Sequence, residues 1–379
     1  MKIDLTPAQE SNRAEFRAFV DEEVMPFAGS FDQQGFVTAD VIAKLKQRKY
    51  LAPTLPEESE GRGLDVISLG LLCEELGRGC SSLRSLLTVH GMVSQAIWRW
   101  GSKSLKQQWL SKLANGERTA AFALTEPNAG SDAASVETEA KAFGDHFVLN
   151  GHKKWITFGQ IADLFLIFAR CEGASVAFLL ERETPGLSIN PISGMLGVRA
   201  SMLADLHLAD CIVPQANIVG KIGFGFSHVA STALDYGRYT VAWGCVGIAQ
   251  ACLEASVRYA ETRKQFGSYL KDHQLIQQLI ARMLTNTKAA RLICLQAGHL
   301  RSAGDPDAIM DSSIAKYFAS RIATEAALDA VQIHGANGCS SQYPVERYLR
   351  DAKIMEIIEG STQIQEINIA GYAQRLYGN

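Results

Sequence analysis

From Thr6 to about Gly116 the apolar residues recur at helical spacing: Thr6-Pro7 makes a helix start, and Phe16, Phe19, Val20 and Val24 follow on one face. The same period marks helices over 39–49, 66–76, 82–100 and 104–114, separated by turn-rich stretches such as 56–63. From about Thr119 the pattern shortens to apolar or alternating runs at 119–124, 146–149, 154–157, 164–168, 175–180, 187–189 and 204–208, broken by Gly, Asp, Asn or Pro. These read as strands of a small, mostly antiparallel domain. Helical period returns near Phe224, with stretches at 225–263, 272–302, 305–334 and 364–376. The expected fold is α+β: an all-helical domain over 1–118, a β-sandwich or barrel over 119–224 and a helical bundle over 225–379. Segregated blocks of this kind argue against a doubly wound nucleotide fold, and no GxGxxG follows a strand.

The stretch 349–365 places a carboxylate at a helix break. Apolar residues keep helical spacing to Ile358, Gly360 suits a helix stop, and Thr362 with Gln365 has the spacing of a capping box. Glu359 therefore stands at a corner among apolar neighbours, where a raised pKa would suit a general base. A solvated glutamate ending a surface helix explains the same residues.

Bulk properties narrow the classes. The chain has 379 residues, 47% hydrophobic and 20% charged, and a net charge of -3 with dispersed Lys and Arg, which argues against nucleic acid as a partner. Cys73, Cys80, Cys171, Cys211, Cys245, Cys252, Cys294 and Cys339 form no CxxC pair and suit reduced core positions in a cytoplasmic protein. The N-terminus lacks a signal-peptide pattern, and no apolar run is expected to span a membrane, since 66–73 is short and Glu74-Glu75 follow it. His90, His152 and His228 show no metal-ligand spacing, and no metal is expected.

Further motifs each have two explanations. The segment Leu124-Thr-Glu-Pro-Asn-Ala-Gly-Ser-Asp132 offers hydroxyl and amide donors for a phosphate or flavin edge, or is a plain connecting loop. Lys154-Trp-Ile-Thr157 could flank a flavin ring, or be a core tryptophan beside a surface threonine. Asp235-Tyr-Gly-Arg238 could bind a ligand or form an intrahelical salt bridge. Arg263-Lys-Gln-Phe-Gly267 suits a pyrophosphate or a helix end. Gln332-Ile-His-Gly-Ala-Asn-Gly338 permits close backbone approach, or is a helix cap.

Taken together and in this order, these motifs, with Glu74-Glu-Leu76 and Ile358-Glu-Gly360, resemble the acyl-CoA dehydrogenases, flavoenzymes that oxidise acyl thioesters. The resemblance covers essentially the whole chain. It implies an FAD site in which Phe122, Leu124, Thr125, Gly130, Ser131, Trp155, Ile156 and Thr157 hold the flavin ring. It further implies that Arg263, Gln265, Phe266, His273, Gln274, Gln332 and Gly335 contact the FAD of a neighbouring subunit in a dimer or dimer of dimers. Ser361, Thr362 and Gln363 would close over the cofactor, and Ser131, Asp235, Arg238 and Gly360 would line the substrate tunnel. Glu359 matches the family's catalytic base, which removes the α-proton of the thioester. The resemblance also implies that the thioester carbonyl is polarised by the base's own backbone N–H and a flavin ribityl hydroxyl. One branch carries its base just before the tunnel arginine; that place here is Gly237, which cannot act.

Ser361-Thr362 reverses the family's usual order. Tyr236-Gly237, Trp243-Gly-Cys245 and Met355-Glu-Ile-Ile358 look more like members from polyketide and nonribosomal peptide pathways. Those act on short hydroxyacyl groups tethered to a carrier protein, as in hydroxymalonyl or methoxymalonyl extender units. The alternatives are an ordinary short-chain acyl-CoA dehydrogenase of catabolism, a non-catalytic flavin-fold partner and a flavin monooxygenase. An external electron acceptor is implied for both dehydrogenase readings, the carrier-protein one and the catabolic one.

Overall fold

The computed structural model describes residues 4–378. Helix α1 (Pro7–Glu23) begins in a capping box: the Gln9 N–H donates to Thr6 Oγ1 at 3.2 Å, and the Thr6 N–H donates to Gln9 Oε1 at 3.0 Å. Its buried face is Phe16, Phe19 and Val20, as the spacing predicts. Helices α2 (Ala28–Gln34), α3 (Ala39–Gln47), α4 (Val66–Gly79), α5 (Ser81–Trp100) and α6 (Lys103–Ala114) complete the first block. Asp65 caps α4 by accepting the Ile67 and Ser68 N–H groups, and α4 and α5 are then buried nearly all round. Helices buried on nearly every face sit at the centre of a bundle, with charged residues such as Glu74 and Arg78 paired there.

Eight strands follow: β1 (Ala120–Ala123), β2 (Glu139–Phe143), β3 (His146–Ile156), β4 (Leu164–Cys171), β5 (Ala174–Glu181), β6 (Leu187–Pro191), β7 (Ala204–Pro214) and β8 (Ile218–Val219). They form one mixed sheet in the order β6-β7-β3-β2-β4-β5-β8, with β1 parallel to β4 and most other pairs antiparallel. Two differences from the sequence reading have simple causes. Strand β2 is exposed except at Ala140 and so shows no apolar alternation. The runs 146–149 and 154–157 are parts of one strand, because Asn150-Gly151 makes an irregularity in the β3–β7 pairing rather than a turn.

A π-helical turn, Gly225–Ala230, leads into the long α7 (Ser231–Thr262). A short hairpin of β9 (Lys264–Gln265) and β10 (Ser268–Tyr269) precedes α8 (Gln274–Ala303), α9 (Ala308–His334), α10 (Val345–Met355) and α11 (Thr362–Tyr377). Residues 225–262 are long and apolar enough to cross a membrane, contrary to the expectation that no run would be. Yet 83% of the apolar window lies inside the protein, which makes α7 a core helix. The first and third blocks are not separate bodies: Phe16, Leu72, Leu86, Trp243, Ala323 and Met355 belong to one continuous core.

Helices α4 and α7 meet backbone to backbone. A Cβ placed on Gly247 would lie 2.0 Å from the Glu74 carbonyl oxygen, and one on Gly77 would lie 2.3 Å from that of Gly244. Only glycine permits this approach. Gly247→Ala should therefore force the helices apart and lower stability by about 1–3 kcal/mol, read from the midpoint shift in urea unfolding.

Candidate active site

Helix α10 stops at Met355, and the chain crosses to α11 through a turn in which Glu359 (φ 55°) and Gly360 (φ 89°) are both left-handed. A non-glycine residue in that region is strained unless its surroundings hold it there. Here every carbonyl at the corner is held. Lys316 of α9 donates to the Gly360 carbonyl at 2.6 Å and the Glu356 carbonyl at 3.4 Å. Gln365 Nε2 donates to the Glu359 carbonyl at 3.0 Å, and Arg238 Nε approaches the same oxygen at 3.4 Å. The expected cap at Thr362 shifts by one residue. Ser361 Oγ accepts the Ile364 N–H at 3.4 Å, while the Thr362 N–H returns to the Glu356 carbonyl at 2.9 Å. Gln365 is drawn to the Glu359 carbonyl, not to a capping box.

The Glu359 carboxylate points at α7. A Cβ on Gly237 would lie 2.3 Å from Glu359 Oε2, so the residue that cannot itself act as a base also makes room for the one that can. Oε2 is shielded from solvent and has no hydrogen-bond partner. Burial pushes the carboxyl up to about 7, against the opposing pull of Arg238, Lys316 and Arg84. Among the described residues the Glu359 N–H has no backbone acceptor, leaving a free donor beside the carboxylate.

Asp235 and Arg238 share a helix but do not pair. Asp235 takes both guanidinium nitrogens of Arg301 at 2.7 and 2.8 Å, while Arg238 turns to the base corner. The intrahelical salt bridge is thus replaced by a link from α7 to α8.

The flavin-type residues fall into two groups. The loop after β1 is riveted by Glu126, whose carboxylate accepts the Thr138 N–H at 3.0 Å and Lys153 Nζ at 2.5 Å. Burial opposes that charge, but Lys153 outweighs it and holds Glu126 below the usual carboxylate range. The Lys154 N–H donates to the Thr125 carbonyl at 2.8 Å, tying the loop to β3, and Gly130 and Ser131 are exposed. Trp155 is 46% exposed and left-handed (φ 61°) at an interruption of the β3–β7 pairing, with Thr157 half-buried beside it. A strained, open aromatic next to hydroxyl and amide donors fits a planar ring system with a polar edge. Leu124 and Ile156, by contrast, point into the core, and Phe122 packs edge-on against Phe168 at 5.1 Å. Leu124 and Ile156 can therefore meet a cofactor only through their backbone, whereas the Phe122 ring is partly open.

Stacking of Tyr259 on His334, with centroids 4.1 Å apart, brings the end of α7 beside the end of α9. Arg263, Gln265 and Phe266 follow the end of α7, Gln332 and Gly335 lie at the end of α9, and His273 Nε2 lies 3.2 Å from the Gln265 carbonyl where α8 begins at Gln274. Phe266 is 97% exposed at the hairpin tip. Gln363 is also exposed, on the first turn of α11.

Models of the N-terminal, middle and C-terminal domains of acyl-CoA dehydrogenases match residues 6–117, 121–211 and 223–373. The chain belongs to the acyl-CoA dehydrogenase family. The mitochondrial short-chain specific acyl-CoA dehydrogenase of Rattus norvegicus is 38% identical over 99% of this chain and 92% of its own length. Among solved structures, a protein for biosynthesis of the methoxymalonyl extender unit of a polyketide immunosuppressant is 33% identical, with TM-score 0.88 over 96% of this chain and 99% of that one. A prolyl acyl carrier protein oxidase is 28% identical, with TM-score 0.93 over 98% of this chain and 100% of that one. As a member of this family the chain is an FAD-dependent oxidoreductase acting on acyl thioesters.

Lys316 and Arg84 escaped the sequence reading, because each lies in a helix whose pattern gives no sign of what it faces, and Gln365 entered it only as a capping residue. Lys316 is fully buried, and burial pushes its ammonium down to about 8. Its charge pulls the Glu359 carboxyl down, so Lys316→Met should raise that pKa. The acid limb of a rate–pH profile then moves to higher pH and kcat falls, whereas a limb that stays in place separates Lys316 from the base.

Proposed function

We propose that Glu359 is the catalytic base of an acyl-thioester dehydrogenase whose natural substrate is a short, polar acyl group on a carrier protein. The observation behind the base is a buried carboxylate oxygen without a partner, fixed by a left-handed corner and facing Gly237. Glu359 takes the α-proton, and the N–H of the same residue donates to the thioester carbonyl as negative charge builds on its oxygen. Lys316, Gln365 and Arg238 keep the corner from relaxing as the carboxyl changes charge. FAD, when bound, would supply the acceptor for the hydride that leaves the β-carbon. Thr125, Ser131, Trp155 and Thr157 would hold its ring, while Ser361, Thr362 and Gln363 would close over it. The surface of Arg263, Gln265, Phe266, His273, Gln274, Gln332 and Gly335 would reach the cofactor of a second copy, making the working unit a homo-oligomer.

The tether is supported by the Tyr236-Gly237, Trp243-Gly-Cys245 and Met355–Ile358 residues and by likeness to the extender-unit and carrier-protein oxidase structures. The second reading, an acyl-CoA dehydrogenase of catabolism, is favoured by the 38% identity to the rat enzyme. Anaerobic stopped-flow with one acyl group on CoA and on a carrier protein decides between them. The carrier form should reduce the flavin at the lower concentration; equal or better use of CoA supports the second reading.

Glu359→Gln should stay yellow and bind thioester, with substrate reduction of the flavin slowed by at least about a thousandfold. Rapid bleaching by that variant would remove the base assignment. In the native enzyme, turnover should fall as pH drops through about 7, because the raised carboxyl is protonated below that value and cannot accept a proton. A rate that is flat from pH 8 to 5 excludes Glu359 as the titrating group.

A further inference from the structure

The surface where α5 ends, α6 begins and β8 leads into the π-helical turn is basic, in a chain whose net charge is -3. Residues 98–116 and 211–234 contain Arg99, Lys103, Lys106, Lys112 and Lys221, and no Asp or Glu. Among the described residues none of these cations has a carboxylate within 4.0 Å. The two segments are bonded to each other: the Gly220 N–H donates to the Trp100 carbonyl at 3.0 Å, and Trp100 Nε1 donates to Thr232 Oγ1 at 2.8 Å. An open recess of about 540 Å³ lies here, lined by Ser102, Ser104, Gln215, Lys221 and Ile222. Ser102 caps α6 by accepting the Leu105 N–H at 3.2 Å, so the positive end of that helix lies at the same recess. Acids flank the surface at Asp145, whose carbonyl accepts the Gln215 N–H, and at Glu172, three residues before the Ser175 hydroxyl that accepts the Phe226 N–H.

This surface adjoins the wall of the candidate site. Trp100, Phe226 and Leu234 pack in one apolar cluster with Leu124 and Ala133, which flank Ser131 in sequence. Thr232 stands on the first turn of α7, and Gly237, against the base, is about 8 Å further along the axis. The π-helical turn shapes the junction. The His228 and Val229 N–H groups share the Phe224 carbonyl, both at 3.1 Å, and the Phe224 and His228 rings stack at 3.9 Å with Lys221 Nζ 4.3 Å from the Phe224 centroid. Widened turns of this kind are frequent at functional sites.

We propose that this surface docks an acidic carrier protein, whose phosphopantetheine arm runs inward past the start of α7 to Glu359. This rests on the carrier-tethered reading above and adds where the carrier sits. A nucleotide handle calls for cations converging on one or two phosphates. Here Arg99, Lys103 and Lys221 are all exposed and come from three separate elements, with Ile222, 45% exposed, beside Lys221. Spread, solvated cations around an apolar residue suit a protein of opposite charge, which they attract and orient.

Anaerobic stopped-flow on the FAD-loaded enzyme compares flavin bleaching by one butyryl group carried on a discrete acidic acyl carrier protein, on CoA and on pantetheine. The native enzyme should reach half-maximal rate at a carrier concentration at least tenfold below that of the pantetheine form, and this advantage should shrink as NaCl rises. Arg99→Glu, Lys103→Glu and Lys221→Glu combined should abolish the advantage, with FAD content, limiting rate and use of butyryl-pantetheine unchanged. Lys221→Glu alone should lose it severalfold, and changing acids of the carrier to lysine should recover part of the loss. Calorimetric binding of the holo carrier should weaken at least tenfold in the triple variant, and it decides the matter if no butyryl thioester bleaches the flavin. A carrier advantage that survives the triple variant overturns the docking surface and leaves the carrier reading standing. No advantage over pantetheine in the native enzyme removes both. An equal loss for carrier and CoA makes the cations a phosphate site and overturns protein docking. A changed mass of the variant in solution assigns the surface to a second copy of this chain, which also overturns it.

Discussion

A carboxylate kept from water must be held by something other than its own hydrogen bonds. At Glu359 the surroundings hold the backbone and leave the acid free. Three side chains from three helices, Lys316 of α9, Arg238 of α7 and Gln365 of α11, bond the carbonyls of a left-handed corner, while the side chain above them lacks a partner at Oε2. The strain of the corner and the desolvation of the carboxyl are local costs, and a core shared by the first and third helical blocks outweighs them. Reactivity and stability are thereby assigned to different atoms of one residue.

The sheet has a different task. Its strands are ordinary, but two points on it are not: the loop after β1, fixed by the Glu126–Lys153 pair, and the interruption of β3 that leaves Trp155 open and left-handed. Both lie where a strand gives way to irregular backbone, so the sheet serves as a rigid frame on which donors and an aromatic face are presented. The base corner, in contrast, is built wholly of helices.

Most of the architecture was legible because it rests on short-range rules. The Thr6 cap, the buried face of α1 and most strands follow from period and turn residues, and Glu359 stood out as an acid at a helix break. What was not legible depends on tertiary partners. Strand β2 has too little apolar surface to announce itself, and Ser361 and Thr362 are equally good caps until the Glu356 carbonyl draws in the Thr362 N–H. Asp235 and Arg238 looked like a pair at one-turn spacing, yet Arg301 lies 66 residues away in sequence and binds the aspartate in both positions. Nothing in the local sequence around Lys316 or Arg84 sets either apart from an ordinary helix cation. Their meaning comes from burial without a carboxylate, which no local pattern encodes.

Helix α7 has one more consequence. It presses Gly237 against the base near its start and delivers the chain into the exposed hairpin at Arg263, so one uninterrupted rod of about 39 Å joins the two places. Where it crosses α4 at Gly244 and Gly247 the contact is backbone on backbone, which leaves little room there to absorb a shift. A displacement at the hairpin is therefore felt as a change of aim at the carboxylate, which makes α7 a mechanical link between the surface and the chemistry.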